Sequence, residues 1–90
     1  MTAPVVIEAK GDHRYAVTIG DSHHDVGVPP ALTEALGLSD DDEEGLVRIS
    51  FEFLLEREPP SSILKRFDLD VIGRYFPDYP EAVRSRLGPG

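Results

Sequence analysis

Residues 43–58, EEGLVRISFEFLLERE, decide the fold. At about 100° per residue, Leu46, Ile49 and Phe53 share one side of a helix. Val47, Phe51, Leu54 and Leu55 carry the apolar surface round the far side. Only Gly45, Arg48, Glu52 and Glu56 form a polar stripe at helical spacing. A surface helix needs a single apolar face, whereas this one is apolar over more than half its girth. It therefore needs cover on two sides, expected from a sheet before it and helices after it.

Upstream, Val5–Lys10, His13–Ile19 and Ser22–Val28 alternate as strands do. Gly20-Asp21 suits a two-residue hairpin turn with glycine first. That turn sets Ile19 opposite Ser22, Val17 opposite His24, Tyr15 opposite Val26 and His13 opposite Val28. A three-residue loop, Lys10-Gly11-Asp12, sets Ala9 opposite His13, Ile7 opposite Tyr15 and Val5 opposite Val17. One face then collects Val5, Ile7, Ala9, Tyr15, Val17, Ile19, Val26 and Val28. The other collects Val6, Glu8, Arg14, Ala16, Thr18, His23 and Asp25, with Glu8 across from Arg14.

Pro29-Pro30 stops the third strand, and Pro30 opens a short helix to Leu36 that Gly37 closes. Ser39 or Asp40 caps the central helix. Asp40 and Glu43 have capping-box spacing, and the acidic run suits a helix N-terminus. Arg48 and Glu52, four apart, are placed to pair. Pro59-Pro60 ends the helix by pushing Glu58 out of helical geometry. Beyond it, Ser61 or Ser62 starts a piece through Phe67, and Asp68 caps Leu69–Phe76. Asp78 caps the last piece, which runs to Leu87 and stops at Gly88-Pro89-Gly90.

The chain has 90 residues, 40% hydrophobic and 29% charged, which fits one small globular domain and not a disordered tail. It has no cysteine, so it offers no disulfide frame or thiol nucleophile. Its start lacks a basic segment leading into a long apolar run, and no stretch is long enough to span a bilayer. Cytoplasm is the expected location. The net charge of −8 is uneven: residues 1–58 hold four basic against thirteen acidic side chains, residues 59–90 five against four. An acidic body repels phosphate backbones, so nucleic acid is disfavoured as a partner.

No chemistry emerges from spacing. Asp40, Asp42, Glu44 and Gly45 imitate a calcium loop, but its twelfth place is Phe51 and Glu52 falls one late. His23 and His24 are adjacent on a strand and face opposite ways, so they cannot close on one ion. His24 falls on the inner face and His13 near a strand end. Ser61 and Ser62 have no local base or oxyanion loop, and no glycine-rich phosphate loop is present. Residues 62–76 could form a helix-turn-helix with Lys65, Arg66 and Arg74 on phosphates. Asp68 and Asp70 would then stand where base-reading side chains belong. A helical corner is the simpler reading.

Residues 51–80, above all LLEREPPSSIL and FDLDVIGRYFPDYP, resemble a group of small bacterial conserved-hypothetical proteins. The likeness covers about a third of the chain. It implies no activity, ligand or cofactor and transfers no functional residue.

The expectation is one α+β domain over residues 1–90. Residues 5–28 form a three-stranded antiparallel meander in the order 1-2-3. Residues 30–90 supply a short helix, the long central helix and two to three short C-terminal helices on one sheet face. The expected function is a non-enzymatic protein-interaction or regulatory module without metal or cofactor, its partner another protein or a second copy. Contacts are expected from a sheet edge, or from the Tyr75–Pro80 corner with Arg74, Tyr75, Tyr79, Arg84 and Arg86. A nucleic-acid-binding regulator using the basic C-terminal helices is the second reading. A small metal-dependent or hydrolytic enzyme is the third.

Overall fold

The computed structural model describes residues 4–87, the Asp40 side chain excepted. The expected stop at Gly88-Pro89-Gly90 lies outside the described residues. Three strands, β1 (Val5–Gly11), β2 (Arg14–Ile19) and β3 (Ser22–Gly27), form the antiparallel meander. Helix α1 (Pro30–Leu36) and the central helix α2 (Glu43–Leu55) follow. The chain then departs from expectation. Residues foreseen as a helix to Phe67 make a 3-10 turn, Pro60–Ser62, and a fourth strand, β4 (Arg66–Asp68). β4 pairs parallel to β3, with Val26 beside Phe67, and gives a mixed sheet in the order β1-β2-β3-β4. The piece foreseen as helix 69–76 is a 3-10 turn, Leu69–Val71, running into a single helical turn, α3 (Ile72–Tyr75). Helix α4 (Tyr79–Leu87) ends the described chain.

The β2–β3 register is the one that the Gly20-Asp21 turn requires, with Val17 beside His24 and Tyr15 beside Val26. Gly20 has φ +58°, as a glycine-first turn needs. The β1–β2 register is two residues away from expectation: Val5 faces Ile19, Ile7 faces Val17 and Ala9 faces Tyr15. The turn is Asp12-His13, both left-handed at φ +53° and +61°, preceded by a bulge that ends at Gly11 (φ +88°). Asp and His tolerate that region better than most side chains. Because strands repeat every two residues, the slip changes partners without exchanging faces. Glu8 accordingly faces Ala16, and Arg14 turns to Asp25 (3.2 Å) and Asp68 (3.8 Å).

α2 is covered on two sides. Phe51 and Phe53 are both fully buried and stand about 200° apart on the helix. Phe51 meets His24 and Phe67 at 5.5 and 6.0 Å between ring centres, on the sheet side. Phe53 meets Phe76 and Tyr79 at 5.7 and 5.5 Å, on the side of the last helices. The stripe Gly45, Arg48, Glu52 and Glu56 is exposed. Arg48 reaches the Val5 carbonyl (3.2 Å) rather than Glu52.

The start of α2 differs from the foreseen capping box. The Ser39 amide and hydroxyl both donate to Asp42 Oδ2 (3.0 and 3.1 Å), leading into a 3-10 turn, Asp40–Asp42. Glu43 instead turns inward, at only 3% exposure. At the other end, Arg57 lies over the Phe53 ring (3.7 Å) and donates to Asp78 (2.8 Å), while Arg86 donates to Glu56 (2.5 Å). These contacts tie the end of α2 to α4.

One polar bridge crosses the α2–α4 seam. Ser50 donates to the Leu46 carbonyl (2.7 Å), so its single proton is used, and the Tyr79 hydroxyl must donate to Ser50 Oγ (2.6 Å). Burial pushes the Tyr79 hydroxyl up to about 12 from 10.0, with the bond to Ser50 offsetting part and the Asp70 charge adding. Below pH 10 the phenol is neutral in both folded and unfolded chains. Between pH 10 and 12 the unfolded chain gives up that proton first, so stability should fall, on the order of 2 kcal/mol from this group. In urea melts across that range, Tyr79→Phe should decline less steeply than the wild type; parallel curves would contradict the assignment. Ser50→Ala, which leaves a buried hydroxyl without its acceptor, should cost about 1–3 kcal/mol at pH 7.

Candidate functional site

Two concave regions could hold a partner or a ligand. The first lies between the end of α2 and the segment 62–76. It is an open groove of about 230 Å³. Its buried walls include Leu54, Phe67 and Ile72. Leu64 and Tyr75 line it while standing 52% and 70% exposed. They are two of the four exposed large hydrophobic side chains among the described residues, with Val6 and Leu87 elsewhere.

Leu64 is exposed because its backbone is fixed. The Leu64 carbonyl accepts from His24 Nδ1 (2.8 Å), and the next carbonyl, Lys65, accepts from the Asp25 amide (2.7 Å). Both bonds pin residues 64–65 to β3 and leave the Leu64 side chain outward. A carbonyl can only accept, so Nδ1 holds the proton. Nε2 of His24 is buried without a hydrogen-bond partner. His23, its neighbour, lies on the exposed face and bonds to Thr18 (3.4 Å).

Glu58 supplies the charge in the groove. Its backbone amide still bonds to Leu54 (2.9 Å), one turn past the end of α2. Pro59, with φ −71° and ψ 159°, then turns the chain away. Glu58 is half-buried and lines the groove, and its carboxylate has no hydrogen bond or ion pair among the described residues. Among the described residues it is the only charged one that lines the groove.

The second region surrounds the β1–β2 turn. Glu43 Oε2 lies 2.5 Å from His13 Nδ1, and Oε1 accepts from the Tyr15 hydroxyl (3.0 Å). A buried carboxylate holding an imidazole can orient a general base. The open recess beside it, about 210 Å³, is lined by Asp12, Arg14 and Asp68. Arg14 is committed to Asp25 and Asp68. Among the described residues no hydroxyl or thiol side chain lines that recess. The Glu43 network is a clasp that holds a left-handed turn against the start of α2.

The residues singled out from sequence are not gathered at one place. Tyr79 is 1% exposed and belongs to the core, so it offers nothing to a partner. Arg86 is held by Glu56, and Arg84 reaches the Ala35 carbonyl of α1 (3.5 Å). Arg74 is exposed beside Tyr75 on α3. Tyr75 alone of the five lines the groove. Neither the helix-turn-helix weighed for residues 62–76 nor the helical corner preferred to it forms among the described residues: the first piece is the end of a 3-10 turn and the strand β4, the second one 3-10 turn and one α-turn. The acidic run at 40–44 is a 3-10 turn passing into α2 and Phe51 is buried, so no calcium loop forms there among the described residues. No group of three or more metal-ligating side chains converges among the described residues. No described helix is long and apolar enough to cross a membrane.

Sequence reasoning missed Leu64 and Glu58. Leu64 falls inside the piece expected to be helical through Phe67, and Glu58 enters only as the residue before a proline. The signal for Glu58 was its place: a carboxylate between an apolar helix and an apolar extended segment. No protein-family profile, curated protein or solved structure matches the chain.

The two carboxylates should separate in a stability measurement. Glu43→Ala removes the acceptor of two buried or half-buried donors and should cost about 2–3 kcal/mol in a urea melt. Glu58→Gln changes an unpaired side chain and should stay within about 0.5 kcal/mol of wild type. Equal losses would show that Glu58 serves the fold.

Proposed function

We propose that this protein is a non-enzymatic interaction module that docks a short segment of a partner protein in the groove between α2 and residues 62–76. The observation that carries the reading is the convergence of Leu64 and Tyr75, both largely exposed, on one apolar groove. Scattered single apolar residues on a surface need no explanation, whereas a contiguous apolar patch around a groove is a common mark of a binding site. Size supports the same reading. About 230 Å³ lies below the range of roughly 300–1,000 Å³ typical of small-molecule and cofactor sites, and it suits one or two inserted side chains.

The backbone bonds of residues 64–65 to β3 favour binding without a large ordering cost, since the rim is held before a partner arrives. The absence of a membrane-crossing helix among the described residues is compatible with action in the cytoplasm, which this reading assumes.

A photo-crosslinking amino acid at position 64 or 75 should give discrete adducts with one protein in native cells. The same group at Val6, on the opposite sheet face, should not give that adduct. Adding Tyr75→Ser to the position-64 probe should abolish it. Equal labelling from all three positions, or none from 64 and 75, would overturn the reading. An adduct of twice the chain's mass would identify a second copy as the occupant.

A further inference from the structure

The occupant's chemistry can be narrowed further, on the docking reading just given. We infer that the groove takes an apolar side chain of a partner segment whose nearby Lys or Arg pairs with Glu58. The apolar half of that statement follows from the lining: Leu54, Phe67 and Ile72 below, Leu64 and Tyr75 at the rim. The basic half follows from charge. Glu58 is half-buried against those walls and has no cationic partner among the described residues.

The chain's own cations are committed elsewhere or stand off the groove. Arg57, next in sequence, is held over Phe53 and against Asp78. Arg86 is on Glu56. Lys65, Arg66 and Arg74 are exposed and none of them lines the groove. A net charge of −8 draws basic segments toward the surface before they dock. A carboxylate on an apolar wall favours a chain that brings apolar bulk and a cation together, and disfavours one that brings an acid.

The probes are acetylated, amidated octapeptides on an Ala/Gln background, each carrying one Leu. In one set an Arg lies one to four residues from the Leu on either side; in two matched sets that Arg is Gln or Glu. Binding is followed on the whole protein by amide and methyl chemical shifts at low ionic strength. The expected result is saturable shifts at Leu64, Phe67, Ile72 and Tyr75, with the best Arg peptide about fivefold tighter than its Gln counterpart and the Glu peptides weakest. Glu58→Gln should erase that ranking without abolishing binding, and added salt should reduce it. Equal affinities of the three sets at the groove would overturn the basic occupant and leave the docking reading standing. Shifts at the groove from no peptide, or shifts unchanged by Leu64→Ser with Tyr75→Ser, would overturn both.

Discussion

Two phenylalanines two residues apart on one helix impose the architecture. Phe51 and Phe53 point about 200° apart and neither reaches water, so α2 has to be enclosed from opposite sides. The meander provides one side. The other requires the chain to come back over α2 after Pro59-Pro60, and Phe76 and Tyr79 meet Phe53 there. Burying each phenyl ring contributes about 1.5–3 kcal/mol, a large share of the roughly 5–15 kcal/mol that separates a folded domain from its unfolded chain. A chain of 90 residues has few other large rings to substitute. Arg57, stacked on Phe53 and bonded to Asp78, ties the same seam together from outside.

The central helix and its polar stripe were legible because helical periodicity is local and strong over thirteen residues. The β2–β3 register was legible because one glycine-led turn allows one pairing. β4 was not, for a physical reason. Three residues, Arg66-Phe67-Asp68, carry too little alternation to outweigh the helical spacing of Ile63, Leu64 and Phe67. The strand exists through pairing with β3, across a connection that includes α1 and α2. The slip between β1 and β2 has a different origin. Gly11 drew the turn toward itself, whereas the left-handed positions are Asp12 and His13, with Glu43 of α2 holding His13 there. Glu43 could not be read as an inward residue from a run of carboxylates that all suit a helix N-terminus. Ser50 was the readable clue to Tyr79: a hydroxyl among apolar helix neighbours needs a polar partner, and a buried tyrosine supplies one.

The groove is a consequence of the same return path. Residues 63–68 run along β3 instead of coiling onto α2, and α3 is a single turn, so the cover beside Leu54 is incomplete. Two backbone bonds to β3 keep the extended segment in place, and its alternation sends Ile63 inward and Leu64 outward. Tyr75 stands outward on the other lip for want of a longer helix to bury it. The docking proposal rests on this open slot, with its two exposed apolar side chains and one unpaired carboxylate. The Glu43–His13–Tyr15 network, chemically the richer cluster, is occupied in holding a strained turn.

Native-state hydrogen exchange is the most direct test of α2's enclosure between the sheet and the returning chain. The amides of α2, β3 and β4 should exchange with one common free energy, equal to that of global unfolding. The result that would contradict the account is rapid exchange over residues 60–76 while the meander and α2 stay protected, since the returning chain would then be an appendage and not the second wall.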